Sequence, residues 1–429
     1  MKRGQKKKFL FVSKIALVGD LAWVIKQEGH DVRYFIEQKA SRDICDGFVD
    51  KCDDWKKMTD WADVVVFDDV FFGPQADKLR KEGKAVIGGS VYTDRLEEDR
   101  KFGQDELRKV GVTVLPHWEF SEISSAIAFV KKNPGRYVVK PTSKVEEKEL
   151  LYVGKEENGK DVVEILEIYK KRWSKKITFI ELQQFVSGVE VAVGAFFNGV
   201  DFITPINVNF EHKKMFPGEL GPSTGEMGTS MYWSNQTRIF TETLACMKEP
   251  LAKSGYTGYI DLNCIVNAKG IHPLEFTSRF GYPTISIQME GIASPWGEFL
   301  HALANNQPYE LKQKTGFQVG VVLAVPPFPF NDQAAFKKYS ANSTVAFKKS
   351  TTEGVHLGDV KLHNDIWHLA GYSGYALIVN GSGLTMQEAR TQAYTRIQNI
   401  TIPNMFYRTD IGVRWFTDSD KLHAWGYLT

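Results

Sequence analysis

Residues 275–283 read Glu-Phe-Thr-Ser-Arg-Phe-Gly-Tyr-Pro and close a strand-like stretch that begins at Gly258. The segment brings a carboxylate (Glu275), a guanidinium (Arg279) and a Gly-Tyr-Pro turn close together in the chain. Proteins hold Mg²⁺ through carboxylate oxygens together with phosphates, so Glu275 and Arg279 predict a metal–nucleotide site at the end of this strand. The alternative is a structural ion pair, because such pairs imitate active sites.

Composition limits the class of protein. The chain has 429 residues, a net charge of +2 and 43% hydrophobic residues. This length predicts two or three domains, and the near-neutral charge argues against a nucleic-acid-coating protein and gives no reason to expect a membrane surface. The basic run 1–8 is interpreted as a frayed terminus, and the short apolar stretch 9–18, interrupted by Lys14, as a buried first strand instead of a signal peptide. Four cysteines without CxxC spacing fit a reducing cytoplasm.

Strand and helix signals alternate through the first hundred residues, and this pattern predicts a parallel sheet covered by helices. The expected strands are 9–12, 31–36, 64–67 and 84–89, and the expected helices are 21–28, 76–82 and 94–110. The 64–67 strand ends in Asp68-Asp69. No GxGxxG fingerprint follows the first strand, so a dinucleotide site is not supported.

Later segments indicate a different architecture. Strands are expected at 137–141, 177–186 and 189–197, and Asn198-Gly199 predicts a hairpin turn, so this region should be antiparallel. The proline-rich segment 326–330 suggests a boundary, followed by short strands and a helix at 385–399. The predicted domains are an α/β domain at 1–100, a middle domain at 101–320 with a small lobe at about 120–190, and a small α+β domain at 321–429.

Two middle segments carry residues suited to a nucleotide. Lys140 ends a strand, where its ammonium group can reach a phosphate; the alternative is a surface lysine. The following loop 142–149 holds lysines but no glycine, and a choice between Lys144 and Lys148 stays open. On the strand at 181–190, backbone groups near Gln183 and Gln184 can bond an adenine edge, and Glu190 can accept from ribose hydroxyls. The alternative for this strand is an exposed edge with a solvated glutamate.

A glycine-rich loop is a candidate for substrate binding. Residues 221–228 read Gly-Pro-Ser-Thr-Gly-Glu-Met-Gly and follow Glu-His-Lys-Lys at 211–214. Backbone and hydroxyl donors of such a loop can hold a phosphate or carboxylate, helped by Lys213 or Lys214, although a mobile surface loop has a similar composition. The residues assigned to this role are Gly221, Pro222, Ser223, Thr224 and Gly225.

Asp261 and Asn263 extend the metal hypothesis. They lie two apart on a strand-like run, so they share one face, and with Glu275 on a neighbouring strand they could hold one Mg²⁺. Alternatively, both are solvent-facing residues of an alternating strand. The histidines His212, His356, His363 and His368 lack zinc-site spacing and are interpreted as ordinary polar residues.

Taken in order, these segments resemble the ATP-grasp carboxylate–amine ligases, and among them the phosphoribosylamine–glycine ligases (glycinamide ribonucleotide synthetases). Residues 221–228 are similar to the family loop Gly-Pro-Asn-Thr-Gly-Gly-Met-Gly, and 211–214 to Asp-His-Lys-Arg. Near the C-terminus, Met-Phe-Tyr-Arg-Thr-Asp-Ile-Gly at 405–412 is a highly specific match, and 356–359, 374–377 and 387–394 also look like the family's last domain. The resemblance covers nearly the whole chain.

The resemblance implies a leading α/β domain, a two-lobed α+β grasp that clamps ATP between sheets, and a small C-terminal α+β domain. It also implies a reaction in which a carboxylate takes the γ-phosphate of ATP and an amine attacks the acyl phosphate, as in purine biosynthesis. ATP with Mg²⁺ or Mn²⁺, small-molecule substrates and a cytoplasmic monomer or homodimer are expected, without nucleic acid or membrane. The residues that take family roles are Lys140 and Lys144 for phosphates, Gln183 and Gln184 for adenine, Glu190 for ribose, Glu275 and Thr277 for the metal, and Arg279, with Lys213, for catalysis.

Several family positions differ in this chain. The glycine loop after the first strand, part of the family's phosphoribosylamine site, is missing after Val12, and the Gly-Lys-Gly loop is replaced by the glycine-free stretch 142–149. Further departures are Thr277 for a metal-binding Asn, Tyr282-Pro-Thr284 for Asp-Pro-Glu, Glu226 for a Gly, and Gly374-Tyr375 for Gly-Arg. The changes cluster on the amine side, which suggests retained ATP use with a changed partner, or a reorganised version of the same reaction. A catalytically silent nucleotide-binding relative is the rival hypothesis, and an oxidoreductase is disfavoured.

Overall fold

The structure is a computed structural model that describes residues 5–143 and 150–428. Lys144, Lys148, most of the glycine-free loop and the first four residues of the basic run therefore lie outside the described residues. The chain forms two compact units. The first comprises 1–112, 190–264 and 274–429, and the second comprises 113–189 and 265–273.

The first unit begins with a parallel sheet of order β2-β1-β3-β4, in which Phe9 pairs with Val32 on one side and Val64 on the other. Its elements are β1 (Lys8–Ser13), α1 (Gly19–Gln27), β2 (Asp31–Ile36), β3 (Val64–Phe67), α2 (Gly73–Lys81), β4 (Val86–Ile87), α3 (Val91–Glu98) and α4 (Arg100–Lys109). β1, β3 and β4 are mainly apolar, whereas β2 alternates buried and partly exposed residues, and the buried strand residues form one apolar cluster with residues of α1 and another with residues of α2. The predicted parallel α/β arrangement and the buried first strand are confirmed.

Two predicted helices have different bounds in the structure. The helix expected at 94–110 is two helices, because Asp99 leaves the helical conformation and its side chain caps α4 by accepting from the Phe102 amide. The helix expected at 76–82 begins earlier, at Gly73, where Pro74 occupies a first-turn position that needs no amide donor.

The second unit is a four-stranded antiparallel sheet of order β5-β8-β6-β7 packed on two helices. Its elements are β5 (His117–Phe120), α5 (Ile123–Lys132), β6 (Tyr137–Ser143), β7 (Tyr152–Val153), α6 (Lys160–Trp173) and β8 (Ile177–Gln184). The strand predicted at 177–186 ends two residues earlier than expected, at Gln184. The core of the second unit includes Val139 and Leu182 from the strands and Leu166 from α6, all fully buried.

An eight-stranded sheet of order β15-β14-β9-β10-β13-β16-β21-β18 dominates the rest of the first unit. The remaining elements are β9 (Val189–Asn198), β10 (Phe202–Glu211), β11 (Lys214–Phe216), β12 (Leu220–Ser223), β13 (Gly228–Ser234), α7 (Arg238–Glu242), α8 (Lys248–Lys253), β14 (Thr257–Asn267), β15 (Gly270–Thr277), α9 (Thr284–Gly291), α10 (Trp296–Ala304), β16 (Phe317–Ala324), α11 (Gln333–Tyr339), β17 (Thr344–Phe347), β18 (Val355–Leu357), β19 (Val360–His363), β20 (Ile366–Leu369), β21 (Tyr375–Gly383), α12 (Met386–Ile397), β22 (Ile400–Thr401) and α13 (Trp415–Ala424). The β9–β10 pair is antiparallel, as predicted, and the Asn198 side chain accepts from the Val200 and Asp201 amides in the turn.

The C-terminal residues are not a separate sheet system. Strands β16 and β21 pair antiparallel inside the eight-stranded sheet, and the predicted boundary at residue 320 falls within β16. Among the C-terminal strands that the structure describes, β17, β19, β20 and β22 form a separate small sheet. The predicted helix is α12, which Thr385 caps in a reciprocal arrangement with Glu388. The three-domain division stays a prediction. None of the helices in the described part of the chain is long and apolar enough to cross a membrane.

Candidate functional site

Lys213 is the centre of a charge cluster at the end of β10 in the first unit. Its Nζ lies 2.9 Å from Glu190 Oε1, 3.3 Å from Glu211 Oε2 and 3.5 Å from Glu275 Oε1. Burial lowers the pKa of Lys213, but the carboxylates of Glu211, Glu190 and Glu275 outweigh it and raise this pKa well above its usual value. The structure therefore brings together three predicted site residues, Glu190, Lys213 and Glu275, from separate segments. Glu190 is on an internal strand and ion-paired, so the exposed-edge alternative is wrong for it.

Glu275 and Arg279 each form ion pairs, but they do not pair with each other. Glu275 Oε2 lies 2.9 Å from Arg100 Nη2 at the start of α4. Arg279 Nε lies 3.2 Å from Glu97 Oε1 and 3.7 Å from Asp69 Oδ1, and its Nη1 donates to the Phe280 carbonyl. Burial lowers the pKa of Arg279, whereas Glu97 and Asp69 raise it, with a net rise.

Glu97 is a positioning residue that sequence reasoning missed. Its Oε2 accepts from the Ser278 amide at 2.7 Å while its Oε1 binds Arg279, so one side chain of α3 fixes two consecutive residues after β15. Asp69 follows β3, which was noted as ending in two acids, but nothing in the sequence linked it to Arg279. Arg100, Glu97 and Asp69 come from the first 100 residues, so only the folded chain reveals this convergence.

Asp261 and Asn263 are buried on β14, next to β15, which carries Glu275 and Thr277. The solvent-facing alternative is therefore wrong. Asn263 Nδ2 donates to Glu211 Oε2 at 3.1 Å, while Asp261 Oδ1 and Asn263 Oδ1 have no hydrogen-bond partner. Burial, followed by Glu211 and Glu97, raises the pKa of Asp261 well above its usual value.

The residue types in this region suit Mg²⁺, but they do not form a site that would hold the ion through protein ligands alone. No group of three or more His, Cys, Asp or Glu side chains among residues 5–143 and 150–428 is arranged to hold a metal. Mg²⁺ is commonly bound through one or two carboxylates plus substrate phosphates, so such a group is not required. The unpartnered buried oxygens of Asp261 and Asn263, near Glu275 on the adjacent strand, are the hard ligands that this ion prefers.

The glycine-rich loop folds back against the residues around Lys213. The amide and hydroxyl of Thr224 both donate to the Lys213 carbonyl, at 2.9 and 3.0 Å, and the Met227 amide donates to the His212 carbonyl at 2.8 Å. Gly225 lies between them with φ of +86°, a conformation that favours glycine. The segment from Thr224 to Gly228 is thus hydrogen-bonded to the residues around Lys213, and its role in substrate binding stays a prediction. Gly221, Pro222 and Ser223 lie on or beside β12, which pairs with β11.

Glu226, at the tip of this loop, is buried to 8% exposure, and its Oε1 has no hydrogen-bond partner. Burial and Glu211 raise the pKa of the Glu226 carboxyl, with Lys213 opposing. Tyr282 and Tyr375 stack with ring centroids 4.3 Å apart, and both rings belong to or pack on the same apolar cluster as Met227. Glu226, Tyr282 and Tyr375 are positions at which the chain departs from the family pattern.

His212 differs from the prediction of an ordinary polar histidine. It is fully buried, and neither ring nitrogen has a hydrogen-bond partner. Burial, then Arg414 and Arg408, lowers its pKa to about 3, so the ring is neutral at physiological pH. His356, by contrast, contacts Asp20 at 2.7 Å.

The second unit places Lys140 beside two acceptors from β8. Lys140 Nζ donates to Gln183 Oε1 at 2.6 Å and lies 3.6 Å from Glu181 Oε1. These side chains are mostly buried, so Lys140 is not the surface lysine of the alternative. Strand β8 is internal, and the Gln184 amide donates to the Pro116 carbonyl, so the exposed-edge alternative is also wrong. The nucleotide roles of Lys140, Gln183 and Gln184 stay predictions.

Comparison with known proteins finds a family whose sequences this chain resembles. Residues 98–285 match the family described as phosphoribosylglycinamide synthetase, ATP-grasp (A) domain. Phosphoribosylamine–glycine ligase of Listeria monocytogenes is 24% identical over 373 residues, covering 84% of this chain and 86% of that protein. The Clostridium acetobutylicum enzyme of the same name is 22% identical, covering 83% and 87%.

Solved structures support the same fold. A phosphoribosylamine–glycine ligase from Thermotoga maritima superposes with a TM-score of 0.67 at 19% identity, covering 94% of this chain and all of that one. A biotin carboxylase from Campylobacter jejuni gives 0.64 at 13% identity, covering 99% and 98% of the two chains. The inferred α/β class and family resemblance are confirmed. The chain resembles phosphoribosylamine–glycine ligase along most of its length, and its middle region matches the ATP-grasp domain of phosphoribosylglycinamide synthetase.

Proposed function

We propose that this protein phosphorylates a carboxylate substrate with Mg–ATP and joins the resulting acyl group to an amine, in a reaction most like that of phosphoribosylamine–glycine ligase in purine biosynthesis. One observation carries the proposal. Two cations in the first unit, Lys213 and Arg279, flank the end of β15, and each is fixed by carboxylates from other elements. Cations held in this way are already oriented before charge develops on a transferring phosphoryl group.

Arg279 is the residue proposed to stabilise that charge. A guanidinium stays protonated at any physiological pH and presents several donors in a fixed plane, and Glu97 and Asp69 occupy only its Nε side. Stabilising the equatorial oxygens of the phosphoryl group lowers the barrier to its transfer. Lys213 supplies a second positive charge, and its carboxylate neighbours keep it protonated.

Mg²⁺ would be held by Glu275, with Asp261, Asn263 and Thr277 as the nearby oxygen ligands on β14 and β15. When bound, the ion neutralises phosphate charge and orients the phosphates. Glu275 is paired with Arg100 and Lys213 in this structure, so its carboxylate is already directed by two cations. For ATP itself, we assign Lys140 to the phosphates, the Gln183–Gln184 segment to adenine and Glu190 to ribose, and Lys144 remains a candidate outside the described residues.

The acyl-phosphate route explains why ATP is needed. A free carboxylate is a poor electrophile because its negative charge and poor leaving group both oppose attack by an amine. Transfer of the γ-phosphoryl group to the carboxylate oxygen makes phosphate the leaving group. The amine nitrogen then forms the C–N bond as the C–O bond to phosphate breaks, and the nitrogen loses its proton.

Two alternatives remain in competition. The chain acts on a different amine and carboxylate from its relatives, or it is a catalytically silent relative that binds nucleotide. The replaced residues Glu226 and Tyr375 favour a change of substrate, whereas Thr277 and the glycine-free loop favour loss of activity. We further propose a cytoplasmic monomer or homodimer without nucleic-acid partners, in keeping with four cysteines that are all free thiols.

Phosphate release tests the proposal. The protein is incubated with ATP, Mg²⁺ and a matrix of amines and carboxylates, and release is measured with each substrate omitted in turn. The expected result is release that requires both a carboxylate and an amine, and trapping of the acyl intermediate by hydroxylamine with the carboxylate alone. Thermal unfolding with and without Mg–ATP separates the alternatives, because a ligand that binds only the native state raises stability. Stabilisation without turnover across the matrix would support the silent relative, and neither effect would refute both.

A further inference from the structure

We propose that Glu226 determines which amine the enzyme accepts, by binding the ammonium group of a cationic, non-phosphorylated amine beside the stacked rings of Tyr282 and Tyr375. The inference rests on the proposed ligase function and names the class of its amine substrate. It assigns a role to three residues that the phosphoryl-transfer chemistry does not use.

The position of Glu226 is fixed by its neighbours in the chain. Thr224 bonds the Lys213 carbonyl on one side, and Met227 bonds the His212 carbonyl on the other. The Met227 carbonyl in turn accepts from the Val322 amide in the eight-stranded sheet. Glu226 therefore stands on a tight loop whose backbone is anchored at both ends.

Glu226 also presents an unused acceptor. Its side chain is buried and its Oε1 has no partner in the described part of the chain. The charges that act most strongly on the Glu226 carboxyl are those of Glu211, Lys213, Asp261 and Arg279, which belong to the proposed phosphoryl-transfer region. A buried carboxyl oxygen without a donor is costly, so a ligand that donates to it gains the full benefit of the bond.

The stacked rings of Tyr282 and Tyr375 form the second part of the proposed amine site, after Glu226. Tyr282 and Tyr375 lie with their planes 26° apart, and Phe328 meets Tyr375 edge-on at 5.8 Å. The Tyr375 hydroxyl is buried without a partner, and Glu226 is near enough to raise the pKa of Tyr375, after burial and Tyr282. A ring face attracts cations, and the two hydroxyls add acceptor oxygens.

Acidic groups continue beyond the stack. Burial, followed by the charges of Asp359, Asp20 and Asp68, raises the pKa of the Tyr282 hydroxyl. Asp68 is itself fully buried, and its Oδ1 has no partner among the described residues. These acidic groups would repel a phosphate dianion bound beside the rings and would attract an ammonium group.

These features select the chemistry of the ligand. An ammonium group has three donors and one positive charge, which match a carboxylate oxygen, a phenol oxygen and a ring face. A phosphorylated amine would bring two negative charges into the same space. No group of three or more His, Cys, Asp or Glu side chains in the part of the chain that the structure describes is arranged to hold a divalent metal, and aromatic rings are poor ligands for Mg²⁺.

The test compares Glu226→Gln and Glu226→Gly with the wild type. Glu249→Gln, on an exposed helix where Glu249 pairs only loosely with Lys253, is the matched control. Amine saturation curves are measured with ethanolamine, 1,4-diaminobutane and lysine, and with O-phosphoethanolamine as the phosphorylated probe. The wild type should prefer the unphosphorylated probes, and Glu226→Gln should raise their KM roughly 10- to 100-fold, as expected for loss of a charge-assisted bond, with the KM for ATP unchanged. The control should match the wild type.

A binding measurement makes the outcome independent of turnover. Thermal stabilisation of the wild type by each amine, without ATP, should disappear in Glu226→Gln and in Glu226→Gly, each first checked for native circular dichroism. If phosphate release proceeds but neither KM nor stabilisation by amines changes in the variants, the assignment of Glu226 is overturned while the ligase function stands. If no pair supports release yet amine stabilisation depends on Glu226, the ligase function fails and the cation site remains. A shifted Mg²⁺ requirement with unchanged amine binding, or preference for O-phosphoethanolamine, would also overturn the proposal.

Discussion

Two neighbouring regions of the first unit treat buried charge in opposite ways. In the transfer region, Lys213 and Arg279 are each held by carboxylates that the protein itself supplies. In the acceptor region, Glu226 and Tyr375 are buried with polar atoms that no described residue satisfies. Ion pairs within the protein hold the cations of the transfer region, although Asp261 and Asn263 keep unpartnered oxygens there, and we propose that a ligand completes the acceptor region.

The difference reflects two separate requirements, one for phosphoryl transfer and one for substrate choice. The proposed phosphoryl transfer needs cations whose position does not change during the reaction, and we infer that ion pairs to Glu97, Asp69, Glu190 and Glu211 supply that rigidity. Substrate choice needs groups that are unsatisfied until the correct molecule arrives, because a partner lacking the matching donor then leaves a buried acceptor unpaired. The following predictions test whether the two regions are independent.

The largest effect is expected at Arg279. Arg279→Ala removes the guanidinium and should lower kcat for ATP-dependent phosphate release by at least about 10³-fold, as for other arginines that stabilise phosphoryl transfer. Stabilisation of the protein by amines should persist if the acceptor region is independent. Arg279→Lys, which keeps the charge but not the fork, should recover only part of the loss. Turnover within tenfold of the wild type for Arg279→Ala would remove the transfer region from the mechanism.

A smaller loss is expected at Glu275. Glu275→Gln keeps the size of the side chain but removes its charge, so the Mg²⁺ concentration giving half-maximal activity should rise about 10- to 100-fold. Excess Mg²⁺ should restore much of the activity, since the amide oxygen can still act as a weak ligand. Glu242→Gln, on α7 where Glu242 pairs with Arg238, is the surface control and should leave the Mg²⁺ curve unchanged. An unchanged curve for Glu275→Gln would contradict the metal assignment.

The transfer region was partly predictable from sequence and the acceptor region much less so. Glu275, Arg279 and Glu190 belong to local motifs, and their family order was enough to predict that they serve one site. Asp69, Glu97 and Arg100 reach Arg279 and Glu275 from about 200 residues away, and sequence spacing carries no signal for such contacts. Parallel strands were similarly evident from β-branched runs, whereas the break at Asp99 depended on a side-chain cap.

The departures Glu226, Tyr282 and Tyr375 were visible as isolated changes. Only the structure shows that the two tyrosines stack and that Glu226 acts on Tyr375. The sequence also gave no reason to suppose that Asp261 is buried with an unpartnered oxygen. Burial and satisfaction of polar atoms arise from tertiary packing, so a pattern read along one strand cannot establish them.

Lys213 tests how much the carboxylates of the transfer region depend on their shared cation. Lys213→Met removes the cation that Glu190, Glu211 and Glu275 share, and of these only Glu275 has a described ion pair with Arg100, so the free energy of unfolding in urea should fall by about 2 kcal/mol. This value is below that of a fully buried pair because the Lys213 side chain is one-third exposed. Lys253→Met removes an exposed helix pair with Glu249 and should change stability by less than about 0.5 kcal/mol. Equal effects of the two substitutions would show that the cluster is not energetically coupled.

The smallest effect concerns His212, whose backbone joins the two regions. Its pKa is about 3 in the folded protein, below the unfolded value of 6.5, because burial and then Arg414 and Arg408 disfavour the charged ring. Between these values the unfolded chain binds more protons, so stability contributed by the neutral ring is present above pH 6.5 and is lost as pH falls. At pH 5.5 the loss is about 1.4 kcal/mol relative to neutral pH. His212→Asn should lack this component when unfolding is measured from pH 7.5 to 5.5, and the exposed His363→Asn should follow the wild type. If the stability of His212→Asn falls between pH 7.5 and 5.5 as much as that of the wild type, another group causes the loss. The His212 ring is then not the neutral buried group that we infer.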